Sequence, residues 1–503
     1  MGEPVATRGQ TERDYDVIVV GAGPGGSALA ALLAKAGLRT LLVDKNRAAG
    51  GRMMTVHRDG FSFELFPINC VPATGSLFER LVQDLGLEDQ VQVIYPELVG
   101  RFHFELPDGE IRTMDMMANK QSLGDLRRLL GLRLWDLLKL VRFFRDMLTM
   151  GTERLEELAS ISALGFLTRY HLPQSLSSYL LSVYAEGFFE TPADRISAAA
   201  MGGAIQQTTR QGGGRYYQGG VGTVFQAFAG AVERFGGTVL FQTRVERILV
   251  EQGRVAGVVA GGIEYRAPIV VSNAGIQPTV LKLIGEEHLE PSYVEWVRNL
   301  ELNLACVGYR WILDRPVLDS PMNVYLTYNS VSTREDFHKM ELGVFPDHSY
   351  VYLGTTSLYP GLAPAGKQLV YACMSCLGDP SLDIAPYLDH VRAMVAKIEP
   401  ELFQHIEREE TFGPATVPAV GRDAVLPGQG GESYGVALSV GQYGDERLNG
   451  ESPIGGLFYV GCDAGGFGLG THQAVDSAVN VSRLALAYHQ TCGQGQTENG
   501  RSE

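Results

Sequence analysis

The apolar positions of the chain follow two periods. Residues 15–20, YDVIVV, form a short β-branched run of the kind buried on both faces in a parallel sheet, and the Ala/Leu-rich stretch from Ser27 to Ala36 suits a helix. Three glycines separate them, and a second apolar run, RTLLVD, closes on Asp44. Further along, YYQGGVGTVFQAFAG passes from a glycine turn into a helix, and the residues after it, to VVAGG, read as strands of hairpin type. IVVSNAG is an apolar strand running into Ala274, and LFYVG is a strand ending at Gly461 ahead of a helix that starts near Thr471.

A different pattern occupies 122–150. Leu130, Leu134, Leu137, Val141, Phe144 and Leu148 recur at intervals of four and three, which predicts one helix with a single apolar face. Arg127, Arg128, Arg133, Lys139, Arg142 and Arg145 outnumber Asp125, Asp136 and Asp146 there. Two readings stand level: a membrane-surface helix, or a core-facing helix with a solvated basic side.

Composition narrows the classes. With 503 residues, 45% hydrophobic and 20% charged, the chain reads as a globular protein of two interleaved domains. A formal net charge of −15 argues against nucleic acid as a partner, since phosphate binding needs a basic surface. The cysteines, Cys70, Cys306, Cys373, Cys376, Cys462 and Cys492, are scattered as in reduced, cytoplasmic proteins. Cys373 and Cys376 form a C-x-x-C inside an apolar run and are read as strand residues, with no metal site expected. Residues 1–13 and 491–503 are read as flexible tails; the first lacks the apolar core of a signal peptide, and no run reads as a spanning helix.

The opening turn carries the chemistry. In G-A-G-P-G-G, Gly21 permits a tight turn, Gly23 lets the backbone approach a pyrophosphate, and Gly26 lets the helix lie close to the strand. Asp44 follows Gly21 by 23 residues; a carboxylate there accepts from a ribose hydroxyl and repels a 2′-phosphate. FAD and NAD both use this unit. No second complete G-x-G-x-x-G follows with its strand and spacing, so a nicotinamide held in a Rossmann domain of its own is not expected, and electrons pass to or from the substrate, oxygen or a quinone.

After the acid come Gly50, Gly51 and Arg52, then Asp59, Gly60, Phe61, Ser62, Phe63 and Glu64. Here the chain resembles the flavoprotein superfamily that includes phytoene desaturases, carotenoid isomerases, retinol saturase and the monoamine oxidases. It departs where the superfamily often has a glycine and this sequence has Phe66 before Pro67. The resemblance implies an α/β protein with a Rossmann-type, glutathione-reductase-like FAD-binding domain built from 14–95, 216–285 and 430–490. An α+β substrate domain, 96–215 and 286–429, is interleaved with it. Noncovalent FAD is expected, because Cys462 stands directly before an acid and does not match the position of a flavin tether.

The implied FAD contacts are Gly21, Ala22, Gly23, Pro24, Gly25, Gly26, Asp44, Lys45, Gly51 and Arg52. Val245 would back the adenine, Ala274 would end a further strand of the same sheet, and Gly461 and Asp463 would meet the ribityl chain. Gly470, Thr471, His472 and Gln473 form the helix start facing the flavin ring, with a backbone N–H of His472 or Gln473 as the contact. A helix N-terminus there stabilises the charge that reduction puts on the flavin. Tyr217 and His472 are the catalytic candidates. The implied substrate is a lipophilic polyene or terpenoid, altered at a carbon–carbon bond by a desaturase or saturase on a peripheral membrane surface. A redox-neutral isomerase, an amine oxidase and a flavin-binding scaffold remain as alternatives, and the sequence leaves the oligomeric state open.

Overall fold

The computed structural model describes residues 13–66, 75–118, 122–211, 214–347 and 349–499. Residues 1–12 and 500–503 of the expected tails, Cys70, and Pro67 of the departing segment lie outside them.

Five short strands from five separate stretches form one parallel sheet, in the order Thr238–Leu240, Thr40–Val43, Val17–Val20, Val270–Ser272, Leu457–Tyr459. In the Val17–Val20 and Thr40–Val43 strands every residue is buried, which is why they read as unbroken apolar runs and not as alternation. Helices Pro24–Lys35, Gly222–Arg234 and Thr471–Asn499 cover one face, where Ala28, Leu29, Phe225, Phe228, Val475 and Ala478 share a core. The other face carries the antiparallel strands Val245–Glu251, Arg254–Ala260 and Ile263–Arg266, with the predicted hairpin at its centre. Arg13–Asp14 pairs in parallel with the edge of that second sheet, so the chain is already a strand at the end of the expected first tail. At the other end the last helix continues to Asn499, nine residues past the expected end of the domain.

A second half is built on a seven-stranded mixed sheet, in the order Ile406–Phe412, Ala305–Leu313, Gln368–Cys376, Val351–Gly354, Met322–Thr327, Leu98–Glu105, Ile111–Met117. Cys373 and Cys376 are buried in the Gln368–Cys376 strand. Pro291–Arg298, assigned above to this half, instead packs Val294 and Val297 into the core under the parallel sheet.

The 122–150 segment differs from its single-helix reading. It forms two helices, Leu123–Leu129 and Leu134–Thr149, broken at Gly131, which takes φ 63°. The face turned inward is Leu140, Phe143 and Met147, while Leu134, Trp135 and Leu138 are 68%, 78% and 65% exposed. Of the predicted face, Leu130, Leu137, Phe144 and Leu148 pack on this core, while Leu134 and Val141 are exposed. Among the described residues no helix is long and apolar enough to cross a membrane.

Candidate active site

The glycine turn is closed to any larger residue. A Cβ on Gly26 would stand 1.9 Å from the Gly21 carbonyl oxygen, and one on Gly25 would stand 2.8 Å from Gly461 Cα. The first strand's turn and the end of the last strand are therefore back to back, 436 residues apart in sequence. Asn273, at the end of the strand between them, plugs the joint: its amide donates to the Val460 carbonyl at 3.1 Å and accepts from Gly23 N–H at 3.3 Å. Gly50 N–H donates to the Ala22 carbonyl at 2.8 Å, and Gly51 faces Gly23, so the Gly-Gly-Arg segment lies across the turn. Helix Pro24–Lys35 begins here with no side-chain cap and no acid in its first turn. Its free N–H groups and positive dipole end are open to an anion.

Asp44 is nearly buried against this turn and accepts from Ala22 N–H and from Asn46 N–H, both at 2.6 Å. Burial pushes its carboxyl up. Lys45 turns the other way, to the Pro418 carbonyl and to Asp423, each at 2.9 Å. Asp423 also receives Arg244 at 2.9 Å and Lys282 at 2.6 Å. Burial works against its ionisation, but the three cations outweigh it and hold the carboxyl far below its usual range. Val245, next to Arg244, starts its strand and is almost fully buried; Ala274 is half-buried behind Asn273.

Asp463 meets three segments. It accepts from Ile276 N–H at 2.8 Å, Val436 N–H at 2.9 Å and Arg422 at 3.2 Å, a set that outweighs burial and holds the carboxyl below its usual range. As placed, it ties loops together rather than presenting free oxygens. Arg447 donates to the Gly466 and Cys462 carbonyls at 2.8 and 2.9 Å, and Gln473 also donates to Cys462 O at 2.9 Å. Arg52 donates to the carbonyls of Glu432 and Tyr434. Three guanidiniums thus surround two carboxyls, Asp463 and Glu432, and Arg422 and Arg447 each keep one buried nitrogen without a partner. A buried guanidinium nitrogen without a partner is costly, and an anionic ligand beside it would relieve that cost.

The helix start leaves one of the two expected N–H groups open. His472 N–H donates to the Leu469 carbonyl at 2.9 Å, closing its own turn. That leaves Gln473 N–H, which as a first-turn group has no acceptor inside the helix. Both catalytic candidates flank Phe78, with ring centroids 6.0 Å away for Tyr217 and 5.9 Å for His472. Burial pushes His472 down to about 4, so it is neutral at pH 7 and a weak base. The Tyr217 hydroxyl has Glu79, Tyr95 and Arg215 as its charged and polar neighbours, on the outer side, and burial raises it. Both side chains pack against Phe78 in the core of the cofactor half.

Arg52, Cys306, Tyr434, Cys462 and His472 lie deep in the protein, yet each keeps accessible surface. Tyr179 and Tyr184 behave in the same way from the substrate half, with Tyr184 edge-on to Phe188 at 5.3 Å. A separate cleft of about 560 Å³, lined by Arg47, Met54, Thr55, Gly222 and Gln226, holds none of the expected cofactor contacts.

The flavin containing amine oxidoreductase family matches residues 26–486. The chain belongs to that family. Its glycine turn, Gly-Gly-Arg crossing and open helix ends are the parts that fit a flavin dinucleotide, and flavin is the cofactor of this family. Among its relatives are a phytoene desaturase of Cercospora nicotianae, 26% identical over 72% of this chain and 60% of that protein, and a prolycopene isomerase of an Oncidium hybrid, 28% identical over 55% and 51%. An inactive all-trans-retinol 13,14-reductase of Danio rerio is 26% identical over 57% and 52%. These matches span between half and two thirds of the relatives' own lengths. Two solved structures share the fold: an oxidoreductase of Methanosarcina mazei, 18% identical, TM-score 0.68, covering 93% of this chain and 99% of that one, and a putrescine oxidase, 14%, TM-score 0.66, covering 95% and 99%.

Several residues of this flavoprotein's site escaped the sequence reading. Arg422 and Asp423 in VGRD, and Arg447 in DERLNG, stand in loops to which the sequence pattern assigned no role; charged side chains inside glycine-rich apolar loops were the available signal. Asn273 had none, because its role depends on three strand ends meeting.

Proposed function

We propose that the chain is an FAD-dependent oxidoreductase acting on carbon–carbon bonds of a lipophilic polyene or terpenoid, with FAD held noncovalently. Bound flavin supplies two-electron hydride chemistry. The open end of Pro24–Lys35, with the Gly21–Gly26 turn, receives the pyrophosphate, and Asp44 braces that turn beside the ribose. Arg52, Arg422 and Arg447 supply positive charge near the far end of the dinucleotide. The helix starting at Thr471 directs Gln473 N–H and its dipole at the ring, stabilising charge gained on reduction. Cys462 supports the noncovalent reading: burial pushes its thiol up to about 11, so at pH 7 it is not the thiolate that a tether requires.

What supports the substrate class is the likeness to phytoene desaturases and a prolycopene isomerase, together with the aromatic group of Tyr179, Tyr184 and Phe188 in the substrate half, where Tyr184 stands edge-on to Phe188 at 5.3 Å. Aromatic side chains of this kind suit an extended apolar chain. The exposed face of Leu134–Thr149, with Arg128, Arg142 and Arg145 beside it, would seat the protein on an anionic bilayer from which such a substrate is drawn.

The test is anaerobic incubation of the purified, flavin-replete protein with polyenes, amines and fatty acids, followed by spectra and product mass. Bleaching by a polyene with loss of a hydrogen pair in the product, or return of colour to photoreduced protein with gain of one, supports the reading. Bleaching by amines alone overturns it, and a product of unchanged mass from a reduced enzyme assigns the isomerase instead.

A further inference from the structure

The cleft of about 560 Å³ set apart from the cofactor contacts lies between two segments of the cofactor half. One wall is the chain before and after the Gly-Gly-Arg crossing, between Arg47 and His57. The other is the first two turns of helix Gly222–Arg234, with Gln226 and Ala227 among its lining residues. Clefts of roughly 300–1,000 Å³ are the size that holds small molecules. Its polar groups are open to solvent, since Arg47, His57, Gln90 and Gln226 are all exposed.

The lining chemistry has one sign. Among the described residues Arg47 has no hydrogen bond, ion pair or ring contact, so its guanidinium is free to take a ligand. His57 Nδ1 is engaged by Ser62 Oγ at 2.8 Å, which leaves Nε2 for a ligand. The described lining residues include no Asp or Glu, although the chain as a whole carries a net charge of −15. Helix Gly222–Arg234 also has no acid in its first turn, so its dipole adds to the positive side. A free guanidinium in an acid-free cleft selects an anion. Ala48, Met54 and Ala227 line the same space and offer it apolar surface. The occupant these groups fit is an organic anion with an apolar body.

The same walls suspend the Gly-Gly-Arg crossing at both ends. Before it, Gln226 Nε2 donates to the Ala49 carbonyl at 3.0 Å. After it, Thr55 Oγ1 accepts from Gly222 N–H at 2.8 Å and donates to Glu64 at 2.9 Å. Between these two points Gly50 N–H donates to the Ala22 carbonyl at 2.8 Å and Gly51 faces Gly23. The ends of the crossing thus belong to the cleft and its middle to the dinucleotide turn. A ligand that bridges the two walls fixes the ends, and the middle is then ordered at less cost when the dinucleotide binds.

We propose that this cleft is an effector site for an organic anion with an apolar body, its carboxylate or phosphate head on Arg47, and that its occupation tightens flavin binding through the Gly-Gly-Arg crossing. The coupling rests on flavin as the family's cofactor and is independent of the polyene reading. It is reciprocal: bound flavin tightens the anion by the same factor.

The test is calorimetric titration of the full chain, apo and flavin-bound, with anilinonaphthalene sulfonate and with its uncharged analogue phenylnaphthylamine. Both titrations use the Trp135→Glu, Leu138→Glu background, which removes the exposed apolar helix face as a competing site. The sulfonate is expected to bind one-to-one, and Arg47→Glu or loss of the sulfonate to weaken binding by about tenfold or more, the scale of a hydrogen bond to a charged group. Ala227→Trp, which fills the cleft, should abolish it. A saturating amount of the sulfonate should lower the flavin Kd by about fivefold or more. Displacement by naphthoate or by naphthyl phosphate tells a carboxylate head from a phosphate head. Absence of saturable binding, equal binding of the uncharged analogue, indifference to Arg47→Glu, or displacement by neither compound overturns the site. Binding that leaves the flavin Kd unchanged overturns the effector role. If the chain takes up no flavin, the cofactor reading fails on its own, and the apo titration still decides the site. Should Ala227→Trp fold poorly, the exposed Arg47→Glu decides the same point.

Discussion

Three cations converge on Asp423, and the consequences can be worked out in sign. It joins Lys45 at the end of one strand, Arg244 before Val245, and Lys282, so it clamps three stretches of the cofactor half. Asp423→Asn is expected to cost about 1–2 kcal/mol once solvent screening of the half-exposed Arg244 and Lys282 is allowed for. A carboxyl held below its unfolded value of about 3.9 contributes fully above that value, and its contribution is lost as pH falls through it toward the depressed folded value. Thermal unfolding of both proteins against pH checks this: the gap should be constant near neutrality and close below about pH 4. A glycine pair gives a second residue-scale test. Gly26→Ala should abolish flavin binding, since its Cβ meets the Gly21 carbonyl, whereas Gly230→Ala, in a helix with open space around it, should gain about 0.5–1 kcal/mol. Flavin absorbance of the purified variants and their unfolding midpoints separate the two.

At the scale of elements, the Leu134–Thr149 helix has two apolar faces with opposite jobs. Phe143 is fully buried, and Phe143→Ala should cost about 3–5 kcal/mol in denaturant unfolding. Trp135→Glu with Leu138→Glu, on the exposed face, should leave stability nearly unchanged but abolish sedimentation with anionic vesicles. Undiminished vesicle binding by that double variant would remove the membrane role. The sequence pattern placed Leu134 and Val141 on the same face as Leu137 and Phe144, yet the helix break at Gly131 and the packing of Leu140 and Met147 rotated the burial. Periodicity alone does not say which of two apolar stripes meets the core.

For the whole molecule, the flavin is expected to act as a structural member. The turn at Gly21–Gly26 meets both the Gly-Gly-Arg crossing and the end of the last strand at Gly461, and buried Arg422 and Arg447 each keep one nitrogen without a partner. Removing the flavin should lower the unfolding midpoint, and free FAD at a hundredfold excess over Kd should restore about 2.7 kcal/mol, read by calorimetry of apo and reloaded protein.

The glycine turn, the acid after it, the hairpin and the helix at Thr471 were legible in the chain because each is local. A turn that needs φ > 0, a strand buried on both faces and a helix start all leave signatures within a few residues. What the partners of those elements are was not local. Asp463 answers to Ile276, Val436 and Arg422, His472 spends its N–H on Leu469, and Glu190 accepts from Ser375 and Cys306, residues of strands far along the chain. The sequence by itself determined the kind of cofactor turn and the family it serves. Only the tertiary structure decided which charges face one another, because burial and Coulombic pairing depend on distances between segments that no local pattern encodes.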